Sequence, residues 1–214
     1  MICQEQDRQK TPLRIAVFIS GTGSNLQALI DATESRQLPE AEIVLVVSNK
    51  ANAYGLQRAF NHKLAAIYLP WKQRKEAEAR ALALMRLFQV DLIVLAGWLR
   101  IFSPDFIAQF PNCMINLHPA LLPDGGGETY ITSEGTIIPA LRGLHVVERA
   151  IEKNLKITGS TVHYVTSEVD AGPVISRAEV PIRVGDTAET VHERLKKREH
   201  QLIVEAVREI AQSR

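Results

Sequence analysis

Cysteine is scarce: the 214 residues hold only Cys3 and Cys113. Two are too few for a disulfide framework, and both read as reduced thiols of a reducing, cytoplasmic compartment. Long apolar runs are also missing, since none approaches the roughly 18–20 residues of a membrane span. The polar start from Met1 to Pro12 lacks the apolar middle of a secretory signal and reads as a disordered arm, residues 1–12. The formal net charge is only +1, without the basic excess of a nucleic-acid binder. A small anion is not excluded, because backbone amides at a helix start bind phosphate without net charge. The scattered cysteines and histidines have no zinc spacing, so no metal is expected. No Gly-x-Ser-x-Gly elbow occurs, which weakens a hydrolase reading.

What is present is an ordinary globular composition, 46% hydrophobic and 23% charged, in which apolar runs alternate with helical patterns. Runs at 14–19, 43–47, 65–69, 91–96, 113–117, 159–165 and 174–180 read as strands. Helical spacing recurs over 24–35, 53–61, 73–89, 145–153 and 187–211. This alternation implies one α/β domain over residues 13–214, a mostly parallel twisted sheet of about seven strands flanked by helices.

Ser20-Gly21-Thr22-Gly23-Ser24-Asn25 joins the first strand to the first helix. Glycines let the backbone turn tightly and aim free amides, reinforced by the helix dipole, at an anion such as phosphate. The rival dinucleotide fingerprint needs a third glycine where this chain has Leu26. It also needs an acidic residue near the end of the second strand, which instead closes with Ser48-Asn49-Lys50. The bland alternative is a plain tight turn.

The densest polar group is Asn116-Leu117-His118-Pro119, at the carboxyl end of the fifth strand, where open α/β sheets place their ligands. Alternation puts Asn116 and His118 on one face. An amide donor beside an imidazole that titrates near neutrality suits an oxyanion forming on an attacked carbonyl or formyl carbon. Asp170, in the loop Thr166-Ser167-Glu168-Val169-Asp170-Ala171-Gly172-Pro173, is either a turn former or a carboxylate serving His118 and an amine's proton. Spacing alone does not bring it to His118. His62, His145, His192 and His200 read as surface groups, and His163 as core or as support for the site.

The stretches ISGTGSNLQALIDA, VVSNK, VDLIVLAGWLRIFSP, MINLHPALLP, ITGSTVHYV and VDAGPVISRAEVPI resemble the folate-dependent phosphoribosylglycinamide formyltransferases of purine synthesis. The likeness runs from about Arg14 to about Gln212. It implies formyl transfer from 10-formyltetrahydrofolate, the co-substrate, to glycinamide ribonucleotide, with Asn116, His118 and Asp170 as the catalytic trio. It also implies that Gly21, Thr22, Gly23, Ser24 and Asn25 hold the substrate phosphate, with Glu199 at the ribose-phosphate end. Lys196 stands where many relatives carry a phosphate-contacting glutamine. The folate would meet Leu99, Arg100, Ile101 and Phe102, the loop residues Thr166, Ser167, Glu168 and Val169, and Arg74. Expected partners are these two small molecules, with no nucleic acid and no membrane, in a monomer or homodimer.

A formyltetrahydrofolate hydrolase shares the Asn–His–Asp arrangement but usually carries an N-terminal regulatory domain. A formyltransferase for charged initiator tRNA would add a C-terminal one. A non-catalytic nucleotide-binding module would keep the glycine loop without any use for the trio. After Leu121-Leu122-Pro123 this chain departs from the relatives, which turn quickly into the next helix. A loop or hairpin is expected at about 124–141, with two β-prone runs around Ser133-Glu134-Gly135 and a flexible triple-glycine hinge before them. No residue roles are carried over between Pro123 and His145.

Overall fold

In the computed structural model residues 11–214 are described. The expected arm therefore lies, through Lys10, outside the described residues. By its contacts the chain divides into two compact units, one running to Ile115 and including Val207–Arg214, the other Asn116–Ala206.

The first unit begins with β1 (Leu13–Ile19), α1 (Ser24–Glu34), β2 (Ala41–Ser48), α2 (Tyr54–Asn61) and β3 (Ala66–Tyr68). It continues with α3 (Arg74–Leu87), β4 (Leu92–Leu95) and the short α4 (Pro104–Ile107). β1 pairs in parallel with both β2 and β4. Ile15, Ala16, Val17, Phe18 and Ile19 are each 0% exposed, which is why this strand reads as an unbroken apolar run rather than an alternating one. The chain steps from β1 outward to β2 and β3, then returns to the other side of β1 with β4. That reversal makes a crevice at the carboxyl end of β1, where doubly wound sheets bind ligands. The glycine loop lies there.

The second unit takes the end of β5 (Met114–His118), a hairpin of β6 (Thr129–Ile131) and β7 (Ile137–Pro139), and α5 (Val146–Glu152). β8 (Ile157–Tyr164), β9 (Val174–Pro181) and most of α6 (Ala188–Gln212) complete it. Ala120, Leu141, Val146, Val147, Ala150, Val180, Val191 and Leu195 pack as its core. Seven strands share one sheet in the order β3-β2-β1-β4-β5-β8-β9, and β9 runs antiparallel to β8. The mostly parallel seven-stranded sheet is the one the sequence implied.

Three local readings change. α4 was not expected; four residues are too few for a periodic signal, although Ser103 caps it by accepting from the Phe106 amide and Pro104 opens it, both known start signals. Cys113 is disulfide-bonded rather than a reduced thiol. A single bridge needs only two cysteines, and sequence spacing carries no information on their separation in space. The expected hairpin forms, antiparallel with Ile131 opposite Ile137, and a turn leads into it. Asp124–Gly126 makes a tight turn in which Gly125 and Gly126 take positive φ of 68° and 79°, and the ribbon is fastened to β9. Glu179 accepts from Ser133 N and Oγ, both at 2.7 Å, and from Tyr130 Oη at 3.1 Å. Arg177 lies over the Tyr130 ring, donates to Leu122 O at 2.6 Å and pairs with Asp124.

Candidate active site

Asn116 and His118 project from the last turn-ward residues of β5, two positions apart and so on one face. Asp170 reaches them from the loop after β8. It is a non-glycine residue in the left-handed region, φ 52°, and this conformation turns its carboxylate back into the unit. His118 Nδ1 lies 3.4 Å from Asp170 Oδ2, and Asn116 Nδ2 lies 3.4 Å from Asp170 Oδ1. The side chains of His118 and Asp170 are only 4% and 9% exposed, so these charges act where water screens them weakly.

The fourth member is His163. A register shift between Val162 and His163 in the β8–β9 pairing re-aims this side chain, as bulges do beside active sites. His163 Nδ1 donates to Tyr164 O at 2.9 Å. That bond leaves Nε2 of a neutral ring as an acceptor, and Asn116 Nδ2 stands 3.2 Å from it. His163 therefore orients the Asn116 amide. The sequence left it open between core and support; it is buried and in contact with Asn116.

His118 is anchored from the other side. Its Nε2 donates to Leu141 O at 2.7 Å, which fixes the tautomer and directs the Nδ1 lone pair toward Asp170. The 3.4 Å on that side exceeds an ordinary hydrogen bond, so Nδ1 is not locked to the carboxylate. Burial draws the imidazole below its ordinary 6.5, opposed by the Asp170 carboxylate and the Leu141 carbonyl, with His163 and Arg142 adding to the depression. For Asp170, burial alone would push the pKa up. The nearby His163 and His118 rings and the Gly143 amide outweigh it and hold the carboxyl below its ordinary 3.8. The site thus keeps a carboxylate ionised beside an imidazole kept neutral, two titratable groups with pKa values driven apart by their surroundings.

In the first unit, the glycine loop begins α1 with Gly23 at φ 69°. The Gly21 and Thr22 carbonyls are taken by the Gly55 amide and Arg58 Nε, at 3.2 and 2.9 Å. Fixing those two oxygens aims the amides at the helix start outward. Gly55 serves the same turn: a Cβ on Gly23 would meet its Cα at 2.8 Å, so two backbones touch where side chains would not fit. Leu99 to Phe102 form a loop clamped at both ends, by Ser20 Oγ accepting from Leu99 N at 2.9 Å and by Glu78 accepting from Ser103 N and Oγ at 2.6 Å. Beneath it Trp98, Phe102, Trp71 and Phe18 pack edge-on or stacked at 5.0–5.9 Å. The loop presents Leu99 and Ile101, 54% and 63% exposed, as an apolar edge on a rigid floor. Arg74 is exposed at the first turn of α3.

The remaining candidates belong to the second unit. Thr166 Oγ1 donates to Glu168 O at 3.0 Å, closing the loop that presents Ser167, Glu168 and Val169. Glu199 is buried in α6 and accepts from Ser160 Oγ at 3.0 Å. Lys196 is paired with Glu193 one turn earlier, so a phosphate would compete with that carboxylate for its ammonium group.

The formyl transferase family profile matches residues 13–207. The chain belongs to this family. It is 38% identical over 192 residues to the phosphoribosylglycinamide formyltransferase of Haemophilus influenzae, covering 88% of this chain and 82% of that one. It is 37% identical to the trifunctional purine biosynthetic protein adenosine-3 of Gallus gallus, matching 95% of this chain but spanning only 19% of that protein's length. The crystal structure of glycinamide ribonucleotide transformylase 1 from Symbiobacterium toebii superposes with a TM-score of 0.85 at 34% identity, covering 97% of this chain and 91% of that one. Among the described residues, no helix is long and apolar enough to cross a membrane. Residues that the sequence did not single out, Leu141, Arg142 and Gly143, also touch the trio of this family member. Their roles were masked because two act through backbone atoms, which no residue pattern marks.

Proposed function

We propose that the chain transfers the formyl group of 10-formyltetrahydrofolate to the amine of glycinamide ribonucleotide, in the purine pathway. The observation that carries this reading is the convergence of Asn116, His118 and Asp170, within 3.4 Å, at the carboxyl end of β5. The amine attacks the formyl carbon, forming a C–N bond and placing negative charge on the formyl oxygen. The Asn116 amide and, once protonated, His118 Nδ1 stabilise that oxygen. Asp170 takes the proton that the amine loses, and as the tetrahedral intermediate collapses that proton passes on to the expelled folate nitrogen. One such oxyanion donor is worth on the order of 100- to 1000-fold in rate.

The phosphate would rest on the amides of Thr22 to Asn25, the geometry and dipole of a helix start both favouring an anion. Glu199 and Lys196 would meet the ribose-phosphate end. Leu99 to Phe102, Arg74 and the loop Thr166–Val169 would hold the folate, their exposed apolar edges fitting a flat heterocycle. Incubation with 10-formyltetrahydrofolate, with and without glycinamide ribonucleotide, tests the proposal. Folate product that depends on the ribonucleotide supports it; equal product without the ribonucleotide makes the chain a hydrolase, and no product in either case removes catalysis.

A further inference from the structure

The inserted segment leaves the second unit's core at Pro123 and returns at Leu141, and its last residues close on the trio. Leu141 O holds His118 Nε2 at 2.7 Å, and Gly143 N donates to Asp170 Oδ2 at 2.9 Å. Between them, Arg142 Nε donates to Asp170 O at 3.1 Å while its Nη2 donates to Gly127 O at 2.6 Å. One guanidinium thus spans the first turn of the insertion and the backbone of Asp170, the residue held at φ 52°. A fork with diverging donors makes both bonds at once, which a single ammonium cannot do in the same geometry. The arginine is itself steadied, since its carbonyl accepts from Arg149 Nη1 at 2.8 Å.

A lid must be able to leave, and this ribbon is tied down at its tip by Glu179, at its base by Arg177 and at its exit by Arg142. Resting on the formyl-transfer reading above, we infer that Arg142 is a positioning residue through which the inserted ribbon braces the Asp170 backbone, setting the carboxylate that His118 and the substrate amine meet. The insertion supports the site from the side. It does not cover it.

Arg142→Ala and Arg142→Lys test this against the unaltered enzyme. The alanine variant should lose about 10- to 100-fold in kcat, the scale of a small misplacement of a catalytic group, while KM for the ribonucleotide stays within about twofold, as expected when ground-state binding is untouched. Hydrogen exchange at the Gly143 amide should quicken about fivefold or more, the factor that losing one ordinary hydrogen bond gives. The limb of the pH–rate profile set by His118, which faces Asp170, His163, Arg142 and the Leu141 carbonyl, should move to higher pH in the alanine variant, because a neighbouring cation disfavours imidazolium. Lysine keeps the charge without the fork, so it should restore that limb but only part of kcat. That limb reads the charge alone, so the brace is read from kcat against KM and from Gly143 exchange. Either variant with kcat within about twofold of the unaltered enzyme and unchanged Gly143 exchange overturns the brace. Absence of ribonucleotide-dependent transfer in the unaltered enzyme would instead sink the proposed function, and the exchange rate at Gly143 would still decide the brace.

Discussion

Replacing Asp170 by Asn separates chemistry from folding. The amide has the same volume, and its oxygen can still accept from Gly143 N, now at 2.9 Å. What disappears is the negative charge 3.4 Å from His118 Nδ1 and 3.5 Å from His163 Nε2. A hydrogen bond to a charged acceptor contributes roughly 1.5–3 kcal/mol against about 0.5–1.5 for a neutral one, so the fold should lose only about 1 kcal/mol. In a chain of this length that lowers Tm by roughly 2–4 °C. The rate should fall much further. Loss of a positioned proton acceptor costs about 10²- to 10⁴-fold, or about 2.7–5.4 kcal/mol of barrier at 1.36 kcal/mol per decade. The carboxylate also opposes the depression of the His118 pKa, so the His118 titration should move to lower pH. The assay is folate product formed at saturating ribonucleotide, read beside a thermal melt of the same preparation. A variant that melts within a few degrees of the unaltered enzyme and retains kcat within about tenfold would show that Asp170 does not manage the amine's proton.

Burial holds His118 below its unfolded 6.5, so the unfolded chain binds the proton more readily. Its contribution to stability is complete above pH 6.5 and falls as pH drops through that value, a slope that denaturant titrations should show and that His118→Asn should remove. Gly23→Ala should destabilise by about 1–3 kcal/mol, because its φ is 69° and the new methyl meets Gly55. Gly21→Ala, with nothing within 4 Å of the added carbon, should leave the melt unchanged, and equal melts for the two would refute the close approach. Deleting Gly126 to Pro139 and bridging the gap with a short turn should slow formyl transfer without raising ribonucleotide-independent folate hydrolysis; a rise in hydrolysis would mean that the ribbon shields the site after all.

The sheet was legible because its central strands are buried on both faces, so Arg14–Ile19 and Ile43–Val47 appear as apolar runs bounded by turn residues. Two of the trio were legible for a related reason: period-two alternation places Asn116 and His118 on one face whatever else the chain does. The rest depended on long-range geometry. Asp170 lies 52 residues beyond His118 along the chain, and its approach rests on one left-handed backbone angle that the letters Val-Asp-Ala do not encode. His163 acquires its direction from a register shift in β8, and the Leu141 and Gly143 contacts are made by backbone atoms. Arg142 was unreadable because its function consists of two carbonyls, those of Gly127 and Asp170, brought together by the insertion. The fate of Cys113 was hidden for the same reason, since sequence separation says nothing of proximity.

Asp170 occupies a backbone position in which glycine would rest more easily. Two residues on, Gly172 leaves no choice: a Cβ there would lie 1.8 Å from the Tyr164 carbonyl oxygen. At 170 the chain does have a choice, and it carries a charged side chain in a conformation that costs a non-glycine residue about 1–3 kcal/mol. Two selection regimes should therefore diverge at this one codon. A variant library sorted for expression or survival of heat will accept glycine at 170, whereas the same library sorted for turnover will return aspartate. Stabilisation campaigns that score folding alone, or lineages released from the need for activity, would drift there first.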